Sequence, residues 1–270
     1  MSDPFDFTGR VALVTGAGQG IGRATALRLA AHGARVAVND RSAETAERTA
    51  REIQTAGGEA VALPADVSTS PAVDDMFARF AKSFDRLDFL VNNAGISLYR
   101  SLLDCTEEDW DAHIDIMAKG TFLTMRHAAR MMIAQKFGRI VNLGSYVAQL
   151  NCTTKYFGPY CAAKFGIIGL TQVAAQEWAP HVNVNAVGPG DVATDMMELE
   201  WEQEGARRGV PAAVVKDEYR RRLILAKFEE ADDLAQAIMY LCSPLAAHVT
   251  GAHFIVSGGL PYKAEPGQND

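Results

Sequence analysis

Residues 10–22 read RVALVTGAGQGIG. The run over 10–15 is short and apolar, the pattern of a strand buried on both faces of a parallel sheet. Residues 16–22 then carry Gly16, Gly18, Gly20 and Gly22, a GxxxGxG spacing that leads straight into a helical pattern over 20–33. A strand that turns this sharply into a helix leaves the first helical N–H groups unpaired and the positive end of the helix dipole facing outward. Both features suit a pyrophosphate, and glycine lets that group approach the backbone with no Cβ in the way. Gly16, Gly18, Gln19, Gly20, Ile21 and Gly22 therefore read as the phosphate-binding turn of a dinucleotide site.

The same rhythm continues along the chain. Apolar runs at 35–39, 60–64, 89–92, 139–143, 182–187 and 252–256 alternate with helical patterns at 43–56, 71–84, 107–136, 160–178 and 229–242. This alternation predicts an α/β, doubly wound (Rossmann) single domain spanning 1–270, its seven-stranded parallel sheet flanked by helices on both faces. Residues 191–227 break the rhythm, being charged and without a strand pattern. In an open α/β sheet such an insertion sits over the carboxyl edge of the strands, and it is expected to be a substrate-binding lid.

Composition narrows the function. The 270 residues are 48% hydrophobic and 22% charged, with 26 Lys and Arg against 33 Asp and Glu, a net charge of −7. No basic stripe suits nucleic acid, and the Arg220-Arg221-Arg222 run, close to Glu229, Glu230, Asp232 and Asp233, reads as a solvated helix face. Cys105, Cys152, Cys161 and Cys242 fall into no ligand spacing, so no metal is expected and free thiols in a reducing compartment are the simpler account. The start lacks a basic region followed by an apolar stretch, and no apolar run is long enough to span a bilayer. The expectation is a cytoplasmic protein with no membrane or nucleic-acid partner.

Asp40 follows the second strand, 18 residues after Gly22. A carboxylate there accepts hydrogen bonds from the adenosine ribose hydroxyls and repels a 2′-phosphate, which favours NAD over NADP. Arg41 pulls the other way, since a guanidinium pairs with that phosphate. Asp40 also fits a cap of the next helix, together with Ser42.

Tyr160 and Lys164 form a YxxxK at helical spacing, which puts both side chains on one face, and Ser145 ends the fifth strand region. Together with the glycine turn these residues resemble the short-chain dehydrogenase/reductase family over nearly the whole chain. Thr15 to Gly22 matches TGxxxGxG, Asn92-Asn93-Ala94-Gly95 matches NNAG, and Pro189-Gly190 opens a PGxxxT that contains Val192 and ends at Thr194. The resemblance implies Ser145, Tyr160 and Lys164 as catalytic residues. It also implies cofactor contacts from Asp66 and Val67 at the adenine, from Asn93, Ala94 and Gly95, and from Pro189, Gly190, Val192 and Thr194, with Lys164 on the nicotinamide ribose beside Tyr160. The chemistry is coherent: free tyrosine is a weak base near neutrality, and a neighbouring ammonium and a cationic nicotinamide favour its phenolate. Ser145 would steady the substrate oxygen.

Two departures stand out. Met117 occupies the place of an asparagine whose amide serves a water-mediated proton relay in the family, and a thioether accepts hydrogen bonds only weakly. Ser145 and Tyr160 lie 15 residues apart, two more than is common in the family, so the substrate loop should differ in shape.

The substrate region is expected within 97–103, 146–157 and 191–227, with Tyr99, Tyr146, Gln149, Asn151, Thr153, Tyr156, Met196, Met197 and Trp201 as candidates. Amide, hydroxyl and aromatic groups suit a sugar, polyol or other small hydroxy compound, or its ketone, as the small-molecule partner. The acidic Glu198, Glu200, Glu202 and Glu204 disfavour an acyl-carrier partner. Two alternatives remain open: an NADPH-dependent reductase of 3-oxoacyl thioesters, and a catalytically weakened NAD-binding scaffold motivated by Met117. The resemblance further implies a homo-oligomer, a tetramer built on the two long helices.

Overall fold

The structure, a computed structural model, describes residues 3–149, 152–260 and 262. Its seven strands are β1 (Val11–Val14), β2 (Arg35–Val38), β3 (Ala60–Ala62), β4 (Phe89–Asn92), β5 (Gly138–Leu143), β6 (Val182–Pro189) and β7 (His253–Val256). They form one sheet in the order β3-β2-β1-β4-β5-β6-β7, and every pairing is parallel. The order reverses between β1 and β4, and the crevice at such a switch point is where open α/β sheets bind ligands.

Alternation along each strand feeds two cores. Ala12, Val14, Val36 and Val38 face the layer holding α1 (Gly20–Ala31), α2 (Ala43–Thr55) and α9 (Ala231–Cys242). Val11, Leu13, Ala37 and Leu90 face α3 (Ser70–Ser83), α5 (Gly120–Ala134) and the end of α6 (Gly158–Glu177). A sheet covered on both faces needs apolar side chains in both directions, which is why its strands read as continuous apolar runs. No helix among the described residues is long and apolar enough to cross a membrane.

The stretch expected as one long helix over 107–136 is divided. It begins as α4 (Glu107–His113), capped by reciprocal bonds between Thr106 and Asp109, widens into a π-helical turn over Ile114–Lys119, and resumes as α5. The break ends at a close approach. A Cβ on Gly120 would stand 3.0 Å from Val67 Cγ2 and 3.2 Å from the Val67 carbonyl oxygen, so the helix lies almost on the turn that follows β3. The widened turn carries Met117, and π turns are frequent at functional sites.

Residues 191–227 form two helices, α7 (Asp195–Arg208) and α8 (Ala212–Arg222), with no strand. Trp201 fills the space beneath them. It is 1% exposed, meets the Phe228 ring at 4.9 Å, and has the Lys216 ammonium 4.5 Å from its own ring centre. The segment is pinned at its base, where Glu229 N donates to Asp191 O at 3.1 Å and Ala193 N donates to Glu229 O at 2.8 Å. Trp201→Ala is expected to remove about 3–5 kcal/mol of packing from this segment. Limited proteolysis should then cut within 191–227 well before the sheet unfolds, and unchanged resistance there would contradict the assignment.

Candidate active site

The site grows out of the turn after β1. Gly16 takes a left-handed φ of 60°, and a Cβ there would lie 2.8 Å from Ala94 Cα. Gly22 is tighter, with a Cβ position 2.3 Å from the Gly16 carbonyl oxygen. These two glycines are required by contact between the turn, the start of α1 and the end of β4. Gln19 precedes α1 without a side-chain cap, and no acidic residue sits in the first turn, so the helix offers its N–H groups to the cleft.

Asp40 ties two loops together. Its Oδ2 accepts from Gly18 N at 3.0 Å and its Oδ1 accepts from Ser42 N at 3.0 Å, while Ser42 itself caps α2. Gly16, Gln19, Gly20, Ile21, Asp40, Arg41, Asp66, Asn93, Ala94, Gly95 and Thr194 line one elongated cleft along this edge. Burial raises the Asp66 carboxyl, but hydrogen bonds from Ser68 and the Arg41 charge outweigh it and hold it below its ordinary value. Arg41 thus faces Asp66 electrostatically. Gly18, Gly22 and Val67 do not line the cleft: the glycines support its floor, and Val67 is buried in the core against the π turn.

The cleft continues into a second compartment bounded by Ile21, Asn93, Gly95, Met117, Tyr160, Lys164, Pro189, Gly190, Val192 and Thr194. A long cleft with an acidic ribose-sized end, open helix N–H groups in the middle and a narrower apolar end fits a nicotinamide dinucleotide. Met117 is fully buried at that narrow end, packed with Ala163 and Ile167.

Ser145, Tyr160 and Lys164 converge beside it. Ser145 leaves β5 and opens the helical turn Tyr146–Ala148, accepting from Val147 N at 3.4 Å. Tyr160 stands in the first turn of α6, and its side chain and that of Ser145 line the same chamber. Burial pushes the Tyr160 phenol above its ordinary value, and the neighbouring Ser145 side chain only partly counters this. Lys164 is 5% exposed, donates to Leu143 O at 2.7 Å, and lies 5.4 Å from the centre of the Tyr160 ring. Burial lowers its ammonium to about 8. His253 is packed behind, close to Gly144 and Gly188, and burial lowers it to about 4, with Lys164 adding repulsion.

A third chamber adjoins Tyr160 beneath α7 and α8 and is lined by Ser145, Tyr146, Thr153, Asp191, Met197, Glu200, Tyr219 and Arg222. Of the substrate candidates, Tyr146, Thr153 and Met197 line it, and Met196 lines the cofactor-sized cleft. Others do not. Trp201 is the buried centre of the α7 and α8 segment, and the Tyr99 and Tyr156 rings meet at a tilt with centres 4.8 Å apart. Gln149 faces a separate surface cavity, and Asn151 lies outside the described residues. The sequence reading missed Asp191, Tyr219 and Arg222 individually, and it took Arg222 for a solvated face. Their signal was position: Asp191 directly follows Pro189-Gly190, and Tyr219 and Arg222 are three apart on one helical face of α8.

The Lys164 value carries a stability consequence. Its folded value of about 8 lies below the ordinary 10.5. The unfolded chain therefore holds this proton over that window and folding gains from its loss, so the burial cost is complete below the folded value and fades as pH rises toward 10.5. Lys164→Met should raise the melting temperature near neutrality, with the gain over the parent shrinking as the pH is raised through that window. A constant difference across it would contradict the buried ammonium.

Comparison with known proteins agrees with this geometry. A family model for short chain dehydrogenases matches residues 10–205. A short-chain dehydrogenase/reductase of Armillaria gallica is 40% identical over 258 residues, 94% of this chain and 97% of the relative. A 3-oxoacyl-[acyl-carrier-protein] reductase of Synechocystis is 40% identical over 256 residues, again 94% and 97% of the two chains. A solved putative NAD(P) dependent gluconate 5-dehydrogenase of Beutenbergia cavernae, with bound NADP, superposes with a TM-score of 0.86 at 31% identity, covering 95% of this chain and 98% of that one. With the parallel sheet, the glycine turn at its switch point and the Ser145, Tyr160 and Lys164 cluster, these likenesses make the chain a member of the short-chain dehydrogenase/reductase family, whose members are oxidoreductases that bind a nicotinamide cofactor.

Proposed function

We propose that the protein interconverts a secondary alcohol and its ketone on a small polar substrate, with NAD(H) as cofactor and Tyr160 as general acid and base. The observation that carries this reading is the convergence of Ser145 and Tyr160 on one chamber, with Lys164 buried beside Tyr160, at the junction of the cleft and the chamber beneath α7 and α8. A bound nicotinamide supplies the hydride acceptor or donor. The protein supplies position and proton handling. Tyr160 takes the hydroxyl proton in oxidation and returns it in reduction, while Ser145 donates a hydrogen bond to the substrate oxygen. Because burial raises the Tyr160 phenol, the residue alone is an acid, suited to ketone reduction. Oxidation near neutrality draws on the positive charges of Lys164 and of an oxidised nicotinamide to favour the phenolate.

Asp40 supports NAD(H). Two backbone N–H groups, from Gly18 and Ser42, fix its carboxylate at the lip of the cleft, where a 2′-phosphate would meet a fixed negative charge. The second reading, an NADPH-dependent 3-oxoacyl thioester reductase, is favoured by the names of relatives at 37–40% identity and by the NADP in the Beutenbergia cavernae structure. Against it stand Asp40, and the Asp191 and Glu200 carboxyls of the chamber beneath α7 and α8. Met117 alone supports a non-catalytic scaffold, but the Ser145, Tyr160 and Lys164 cluster is complete beside it. We place the protein in the cytoplasm, in keeping with the scattered spacing of its cysteines, and infer a homo-oligomer, a tetramer in the family's manner, because Phe122, Ile133, Phe165 and Val173 are exposed on α5 and α6.

Tyr160→Phe should lower kcat by about 10²–10⁴-fold in both directions, followed at the absorbance of reduced nicotinamide on a panel of polyols, hydroxy compounds, ketones and an acetoacetyl thioester. Retained turnover would remove Tyr160 from the chemistry, and preference for the thioester would favour the second reading. Asp40→Ala should move the kcat/KM ratio of NADPH to NADH upward by about tenfold or more, since it deletes a charge beside the phosphate position. An unmoved ratio would mean that Asp40 only braces the turn.

A further inference from the structure

The lid chamber has walls that the Tyr160 chemistry does not use. Asp191 is held at the base of the lid by the bond from Glu229 N to its own carbonyl oxygen at 3.1 Å. It is 7% exposed, and its side chain faces the chamber with no protein hydrogen-bond donor among the described residues. A buried carboxyl without a donor is costly, and it is an acceptor waiting for one. Glu200 stands on α7 and borders both this chamber and the compartment holding Lys164, with Oε1 taken by Ser97 Oγ at 2.5 Å. Tyr146 and Tyr219 add two aromatic walls.

The only guanidinium lining this chamber among the described residues is that of Arg222. Its side chain is half-exposed, lies 5.0 Å from the centre of the Tyr219 ring and 3.9 Å from Glu218, so its charge is shared with the outer face of α8. Its pull on Asp191 is smaller than the effect of burial, which leaves that carboxyl at about 6, and burial likewise raises Glu200 to about 7. Two carboxyls against one guanidinium that also faces Glu218 leave the chamber short of positive charge.

We propose that the chamber selects substrates carrying a protonated amine close to the reacting alcohol or ketone carbon, with the Asp191 and Glu200 carboxylates as its acceptors and the Tyr146 and Tyr219 rings alongside. The proposal rests on the reading of Tyr160 as the acid and base at that carbon. An ammonium brings three donors and a full charge to the buried Asp191 and the partly buried Glu200, and aromatic walls suit a cation. A neutral hydroxyl in the same place brings one donor and no charge. A carboxylate brings repulsion.

Isopropanolamine, propylene glycol and lactate test this, since each presents a secondary alcohol next to an ammonium-bearing, a hydroxyl-bearing or a carboxylate carbon. Their four-carbon homologues cover a longer reach. With saturating NAD⁺, kcat/KM for the ammonium substrate of at least one length should exceed that of its diol by on the order of tenfold, with the hydroxy acid last. Asp191→Asn should bring the ammonium and the diol level. Equal values in the parent protein at both lengths would overturn the proposal, as would a lead for the hydroxy acid that Arg222→Ala removes. Calorimetric titration of the NAD⁺-loaded protein with the same compounds separates the two layers. Preferential binding of the amine, lost in Asp191→Asn, upholds the chamber assignment even without turnover, and then it is the Tyr160 reading that fails. Binding with no preference for the amine overturns the chamber assignment whatever Tyr160 does.

Discussion

The Thr15 hydroxyl is the point on which the site depends. Its oxygen accepts from Asn93 N at 3.0 Å and from Ala94 N at 3.1 Å. In return Asn93 Nδ2 donates to the carbonyl oxygens of Thr15 and Gly16 at 3.0 and 2.9 Å. These bonds lace the end of β1 to the end of β4 at the place where strand order reverses. Two strand ends diverge at a switch point and open a crevice, and without a crosslink their loops would be free to close over it. The bonds hold the glycine turn against Ala94 while α1 keeps its N–H groups free. Gln19, Asp40 and Asn93 reach a common cleft because of that bracing.

A second buried network fixes the reactive end. Asn92 Nδ2 donates to Asn142 Oδ1 at 2.9 Å, Asn142 Nδ2 donates to Thr171 Oγ1 at 2.9 Å, and Thr124 Oγ1 donates to Asn92 Oδ1 at 2.6 Å. Four elements, β4, β5, α5 and α6, are thereby set in register by side-chain amides whose partners are all in place, which is the condition under which buried polar groups specify a geometry rather than weaken it. Ser145 follows β5 and Tyr160 opens α6, so the network indirectly sets the distance between them. The longer connection between the two does not disturb this, because extra loop residues cost little once the ends are fixed.

Much of the fold was legible because a parallel sheet writes itself as apolar runs between helical patterns. The seven strands at 10–15, 35–39, 60–64, 89–92, 139–143, 182–187 and 252–256 reappear with ends shifted by a few residues. The glycine turn, Asp40 and the Tyr160 and Lys164 pair were legible through fixed spacing. What spacing does not encode is contact between distant segments. The π turn at Met117 ends where Gly120 approaches Val67, residues 53 apart. The chamber walls from Asp191, Tyr219 and Arg222 depend on how α7 and α8 close over the sheet, and Trp201, an obvious aromatic candidate, was drawn into the packing of those helices. Burial also changed the electrostatic picture: the sequence implied a Tyr160 phenol eased downward by Lys164, whereas the desolvated pair has the phenol raised and the ammonium lowered.

Under the proposed chemistry, the balance between acid and base at Tyr160 therefore lies in the charge that would enter the cleft with the cofactor. Ultraviolet difference titration of the parent protein against Tyr160→Phe isolates this one phenol. Without ligand it should ionise above the ordinary tyrosine range, and with saturating NAD⁺ its ionisation should fall by several pH units toward neutrality. Identical titrations with and without NAD⁺ would contradict the assignment of Tyr160 as the group that takes the substrate proton.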